Sequence, residues 1–189
     1  MIKQYSLLTD KNMKLSTNFT VKEFACKDGS NNVLIDTNLI TLLQKIRDHF
    51  KKPVTINSGY RNISYNKKIG GATNSQHTKG TAADIVVEGV NPSEVAKYVE
   101  FIMSTTGGIG LYDTFVHVDV RTNRSRWRTK NNKETVVNGF YGYDALGESI
   151  NILVNKKIIS EPKKWQTKPW SQENMSCLII KMAQYINQL

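Results

Sequence analysis

Two short stretches hold side chains whose types and spacing could do chemistry. In SQHTKGTAADIVV, from Ser75 to Val87, His77 precedes Asp84 across Gly80, Ala82 and Ala83. These small residues let the backbone turn back closely on itself, so the imidazole and the carboxylate can approach. In FVHVDVR, alternation along a strand places Phe115, His117, Asp119 and Arg121 on one face and Val116, Val118 and Val120 on the other. The valine face reads as core. The opposite face carries a base, an acid and a cation in sequence, which suits the wall of an open cleft.

If the ADIVV and FVHVD strands pair, His77, Asp84 and His117 converge. Two neutral nitrogens and one oxygen at roughly 2.0–2.2 Å, with a fourth position left to water, are the donor set of a catalytic zinc site. A structural zinc site would favour cysteines, and the two in the chain, Cys26 and Cys177, stand outside the pattern. Two cysteines also make no disulfide framework, so idle or buried thiols are expected. The third histidine, His49, lies on an amphipathic helix and is read as an ordinary hydrogen-bonded or solvated residue. No Gly-x-Ser-x-Gly elbow and no reactive-cysteine signature is present.

The elements that must position these residues can be read around them. VKEFAC is a short helical start after a Thr or Asn cap. DTNLITLLQKIRDHF is an amphipathic helix with Leu39, Leu42, Leu43, Ile46 and Phe50 at helical spacing, capped by Asp36 or Thr37. Pro53 turns the chain extended, and VTINSGYR reads as a strand running into a turn. NISYNKKIGGATN reads as a loop with at most one helical turn. NPSEVAKYVEFIMSTTGG is a helix with Asn91 or Ser93 near its cap and a Gly-Gly stop. IGLYDTFVHVDVR is the next strand region.

Beyond it, RTNRSRWRTKNNKETV is basic and without apolar period, and is read as a strand edge followed by a linker. SINILVNKKIIS suggests two short strands around an Asn-Lys-Lys turn. SQENMSCLIIKMAQYINQL suggests a capped helix with Met175, Leu178, Ile179, Met182 and Ile186 on one face.

Composition bounds the rest. At 189 residues and 39% apolar, the chain has room for one domain with a proper core plus a small appendage. No apolar run approaches the ~20 residues that span a bilayer, so no stable membrane insertion is expected. MIKQYSLLTDKNMKLS has no continuous apolar segment, so no secretory signal is expected either. The net charge of +10 draws the protein to polyanions without choosing among nucleic acid, anionic lipid and acidic wall polymers. Arginines flanking Trp127 raise nucleic-acid binding, but no recognised motif accompanies them, and no nucleic-acid partner is expected.

SGYRN, SQHTKGTAADI and FVHVDVR together resemble the M15 family of zinc peptidases, in the D-alanyl-D-alanine carboxypeptidase-like branch found in phage endolysins. The pattern Ser-x-His-x-x-Gly-x-Ala-x-Asp is complete from Ser75 to Asp84, and the resemblance covers about residues 16 to 122. It implies a Zn2+-dependent cleavage of peptidoglycan stem peptides, as carboxypeptidase or endopeptidase. His77, Asp84 and His117 match the metal ligands. Arg61 matches a substrate-binding arginine, Ser75 matches a substrate-contacting position, and Tyr60 is a further substrate-binding candidate. In much of the family the general base is an acid three residues before the last histidine, a position held here by Thr114. Asp119 lies ~6.7 Å along the strand from His117 on the same face, and is preferred as base or orienting acid. Asp113 is the alternative.

The expected fold is therefore α+β: a small antiparallel sheet with flanking helices carrying the zinc cleft over 1–128. A linker and a small β-hairpin/helix unit would follow over 129–189. Lys163, Lys164, Trp165 and Trp170 make that unit a candidate wall-binding module for anionic polymers. The protein is expected to be made in the cytoplasm and to act on the wall after holin-type release, or from a virion. A non-catalytic wall-binding module on the same fold is the alternative.

Overall fold

In the computed structural model, the structure describes residues 1–131, 133–140, 152–155, 179–180 and 182–184. The chain divides into two compact units, Met1–Tyr141 and Gly142–Leu189.

The first unit begins with a small antiparallel pair, β1 (Ile2–Ser6) and β2 (Asn32–Asp36). Between them VKEF forms a single 3-10 turn at Val21–Phe24. Asp36 ends β2 and starts α1 (Thr37–Phe50): its carboxylate accepts from the Asn38 amide at 2.8 Å. This supplies the N-cap that the first turn lacks internally. Leu39, Ile40, Leu42, Leu43 and Ile46 form the buried stripe of α1. Phe50 is only half-buried and packs with His49 and Tyr98 at the end of the helix. Lys51 closes α1 in the left-handed region, and Pro53 leads into β3 (Val54–Ser58).

NISYNKK contains a six-residue helix, α2 (Ile63–Lys68), where a loop with at most one helical turn was expected. The Asn62 side chain caps it by accepting from the Tyr65 amide. β4 (Ala82–Val87) follows, then α3 (Pro92–Ile102), with Asn91 as the cap and Pro92 in its first turn. The IGLYDTFVHVDVR region splits into β5 (Gly108–Leu111) and β6 (Val116–Asp119). β7 (Ser125–Lys130) and β8 (Lys133–Val136) complete a six-stranded sheet.

The sheet order is β3-β4-β6-β5-β7-β8. Every pairing is antiparallel except β5 with β7. One face carries Ala83, Ile85, Ile109, Val116 and Val118, all buried, and α1 and α3 pack with this sheet. The other face is left for polar side chains.

Two expectations for the basic segment are corrected. The boundary expected at 128 falls inside β7, and the strand is no edge, because β8 pairs beyond it. Arg126 explains how so basic a strand can belong to the domain. It is only 2% exposed, and its Nε donates to Glu100 of α3 at 2.6 Å. Its other nitrogens reach the carbonyls of Gly107, Met103 and Thr106. A charge this enclosed is tolerated only when paired and hydrogen-bonded.

In the second unit, residues 152–155 are helical where the first strand of a hairpin was expected; the rest of SINILVNKKIIS lies outside the described residues. Short apolar runs carry no period that separates strand from helix. Residues 179–180 and 182–184 are helical, as the final amphipathic pattern requires. Ile179 and Ala183 are its buried positions, whereas Met182 is 41% exposed. Lys163, Lys164, Trp165, Trp170 and Cys177 lie outside the described residues. No helix among the described residues is long and apolar enough to cross a membrane.

Candidate metal centre

The strand pairings set Ser58, Asp84, His117, Gly110 and Trp127 in one row across β3, β4, β6, β5 and β7. Because side chains directly opposite on paired strands share a face, the row delivers its groups to the polar side of the sheet. A bulge between Ile56 and Ser58 turns the end of β3 so that Ser58 lies opposite Asp84. His77 comes from outside the sheet, on the single 3-10 turn Gln76–Lys79. Ser75 caps that turn by accepting from the His77 amide, and so positions the ligand as well as lining the cleft.

His77, Asp84 and His117 are all buried, and their ligand atoms lie within 4.8 Å of one another. His77 Nε2 is 3.2 Å from His117 Nδ1 and 3.2 Å from Asp84 Oδ1, and His117 Nδ1 is 2.9 Å from the same oxygen. The outer nitrogens fix the tautomers. His77 Nδ1 is 2.7 Å from the Gly59 carbonyl, which can only accept, so Nδ1 carries the proton and Nε2 presents a lone pair. His117 Nε2 is 3.0 Å from Asp119 Oδ2, so with Nε2 protonated Nδ1 presents a lone pair too. With both rings neutral, two nitrogen lone pairs and a carboxylate oxygen face one another.

That set needs a cation. Bonds of about 2.1 Å in tetrahedral geometry place ligand atoms ~3.4 Å apart, and the spacings here are within half an ångström of that. The residues fit zinc.

Asp119 sits behind His117. Its side chain is 0% exposed, and its oxygens accept from His117 Nε2, the Gly108 amide and the backbone and guanidinium of Arg121. Burial pushes its carboxyl up, but hydrogen bonds from His117 and Arg121 outweigh this and hold it below the usual carboxylate range. Asp84 is held low in the same way: burial opposes, and His117 and His77 win. For His117, burial favours the neutral ring, yet Asp119 and Asp84 raise its pKa above the ordinary histidine value. A ligating histidine backed by a carboxylate is a recurring arrangement, with the carboxylate fixing ring orientation and basicity.

The two acids foreseen near the last histidine stand in different surroundings. Asp119 has the orienting geometry of the two roles foreseen, since its enclosed and fully bonded carboxylate cannot meet solvent in the cleft. Asp113 is exposed beside Asn91, Ser93 and Arg128 and is not among the residues lining the metal cleft. Tyr60 is half-buried and does not line the cleft. Arg61 does line it, but its Nε donates to Ser58 Oγ at 2.8 Å and its Nη2 to Asp84 Oδ2 at 2.6 Å. It thereby steadies the carboxylate ligand.

The cleft has a volume of about 520 Å³, and its walls include groups that sequence reasoning missed: Tyr112, Trp127 and Glu134. Trp127 comes from the basic stretch read as a strand edge followed by a linker. Its indole packs against the His117 ring with centroids 5.1 Å apart, and Arg121 lies over it at 5.7 Å. Gly108 and Gly110 make room for this. A β-carbon on Gly108 would stand 2.1 Å from the Asp119 carboxylate, and one on Gly110 would stand 2.4 Å from the Trp127 indole. The Gly-Ile-Gly spacing was the available signal, since only residues without side chains let neighbours from both flanking strands fold over β5.

The Peptidase M15 family pattern matches residues 17–119, and the chain belongs to this family of zinc peptidases. It is 36% identical over 94 residues to the peptidoglycan L,D-endopeptidase MepK of Escherichia coli strain K12, covering 45% of this chain and 50% of that protein. The same identity and coverage hold for MepK of Shigella flexneri. A zinc D-Ala-D-Ala carboxypeptidase of Streptomyces albus G is 50% identical over 34 residues, 18% of this chain and 13% of that protein. The chain spans about half the length of the MepK relatives it matches.

Proposed function

We propose that this chain is a zinc-dependent peptidase that cleaves peptide bonds of bacterial peptidoglycan. The observation that carries the reading is the trio of ligand atoms on His77, Asp84 and His117, buried in a cleft and wide enough apart for one zinc ion. The names of the similar proteins, which include a peptidoglycan L,D-endopeptidase and a zinc D-Ala-D-Ala carboxypeptidase, support the substrate class. Zinc bound there supplies Lewis acidity toward a carbonyl oxygen and makes water a competent nucleophile near neutral pH.

The chain's own residues supply the rest. Asp119 orients His117, and Arg61 holds Asp84 while lending positive charge to the cleft. Glu134 is, with Asp84, one of two carboxylates lining the cleft among the described residues. Asp84 is engaged as a ligand, so Glu134 is the carboxylate proposed to accept the proton of the attacking water. The net charge of +10 favours walls rich in anionic polymers, an attraction that salt weakens. Likeness of the three sequence motifs to those of phage endolysins supports a lysin acting after release from the cytoplasm or from a virion.

The test is digestion of purified peptidoglycan with the zinc-loaded protein, with and without chelator, and mass spectrometry of the soluble products. New peptide termini that appear only with zinc are expected. Binding to walls without release of fragments would overturn the hydrolytic reading and leave a binding module.

A further inference from the structure

The cleft contains a neutral donor that the assignments above do not use. Tyr112 directly follows β5, two positions beyond Gly110, and lines the cleft on the side of the row that carries His117. Asp113 and Thr114 make a tight link to β6, closed by the Tyr112 amide donating to the Phe115 carbonyl at 3.1 Å. Across this link the Tyr112 and Phe115 rings stack with centroids 4.2 Å apart and planes 12° from parallel. The Tyr112 ring is thus fixed on one side by Phe115.

Its hydroxyl is fixed on the other side. Trp127 Nε1 donates to Tyr112 Oη at 3.3 Å. An indole N–H can only donate, so the tyrosine oxygen is the acceptor and its own proton remains to be given away. Among the described residues no protein acceptor takes that proton. The nearby cations are committed: Arg61 to Ser58 and Asp84, Arg121 to Asp119. Tyr112 lines the same cleft as His77, Asp84 and His117.

We propose that Tyr112 is a catalytic residue whose hydroxyl donates a hydrogen bond to the oxyanion formed when water adds to the scissile carbonyl, with Trp127 as its positioning residue. The inference rests on the peptidase reading. An oriented donor aimed at developing charge, in a site walled by aromatic rings, is worth far more than the same contact in bulk water. The water oxygen bonds to the carbonyl carbon, and the carbonyl π pair moves onto its oxygen, where the tyrosine proton is shared but not transferred. When the C–N bond breaks, its electron pair leaves with the nitrogen, which takes up the proton that Glu134 accepted from water; the oxyanion pair re-forms the carbonyl π bond and Tyr112 is left unchanged.

The experiment compares wild type, Tyr112→Phe, Trp127→Phe and the double variant on a soluble stem-peptide substrate and on its phosphinate analogue, whose tetrahedral anionic phosphorus centre mimics the adduct. Zinc content is measured for each. For Tyr112→Phe, kcat should fall about 10- to 100-fold, with KM changed less than about twofold and zinc content unchanged. Phosphinate affinity should fall by the same factor as kcat/KM. Trp127→Phe should cost activity in the wild-type background and almost none in the Tyr112→Phe background. Unchanged kcat in Tyr112→Phe would overturn the proposal, as would equal weakening of substrate and phosphinate, the mark of a wall residue. The phosphinate titration requires no turnover. An inactive wild type would therefore sink the peptidase reading, while the ratio of phosphinate affinities would still decide the role of Tyr112.

Discussion

Asp119 Oδ2 lies 3.0 Å from Nε2 of His117, on the edge of the ring turned away from the metal pocket. The proton between them sets which nitrogen is free to ligate. Asp119→Asn can present its amide N–H to that edge, which would drive the ring proton onto Nδ1. Zinc affinity should fall about 10- to 100-fold, measured by competition with a chromogenic chelator. Wild-type affinity in Asp119→Asn would remove the carboxylate from the design of the site.

His77→Ala removes a ligand that comes from outside the sheet and leaves the strands untouched. Zinc retention after dialysis and release of wall fragments should both be lost, while far-ultraviolet circular dichroism stays near wild type. A variant that still digests peptidoglycan at the wild-type rate would exclude this histidine from the centre.

Proton and metal compete for His117, which gives the zinc-free protein its own pH profile. Asp84 and Asp119 are depressed below the ordinary value of 3.8, so the stability they contribute is present above that value and lost as pH falls through their lower folded pKa values. His117 is raised above the ordinary 6.5, so its contribution is present below that value and lost as pH rises through its folded pKa. The chelated protein should therefore be most resistant to urea at about pH 5, between the two limits. Zinc needs the neutral ring, so added zinc should stabilise more at pH 7.5 than at pH 5. The opposite order in urea titrations would contradict the assigned protonation states.

Gly110→Ala forces a methyl group into the Trp127 indole, 2.4 Å from its nearest atom. The ring must lift away from β5, at a cost of about 1–3 kcal/mol for an overpacked site. Tryptophan emission should shift to the red and the denaturation midpoint should drop. Unaltered emission would show that the indole does not lie over β5.

Arg126→Met deletes the cation enclosed between β7 and α3. Glu100 would keep Arg124 at 3.0 Å, but the carbonyls of Gly107, Met103 and Thr106 would lose their donor. A loss of about 3–5 kcal/mol is expected, the scale for breaking a buried pair from one side. Replacing Glu100 by Gln as well should add less than its cost alone. A midpoint equal to wild type would show that the enclosed cation does not help hold this strand in the domain.

The ligands were legible because their signals are local. His77 and Asp84 share one turn-to-strand motif, and His117 stands on a strand whose valines declare its other face. Asp36 and Asn91 likewise cap their helices as their positions suggested. What escaped was non-local. Nothing near Arg126 announces that Glu100 will enclose it, so SRWRTK looked like solvated charge rather than a paired strand. Trp127 reaches His117 only because β7 runs parallel beside β5, a crossover that periodicity cannot foretell. Asp119 presents a subtler case: its face was right, but depth decided its role, and depth depends on Gly108 and Arg121 closing over it.

The row from Ser58 to Trp127 runs at right angles to the strands, so its integrity depends on alignment rather than on strand length. Sliding β6 by a single residue would turn His117 inward among the helices and offer a valine to the cleft instead. A misaligned molecule would keep much of its secondary structure yet be unable to take up the ion. The zinc-to-protein ratio of a purified sample thus counts the fraction of molecules whose strands have met in the correct frame.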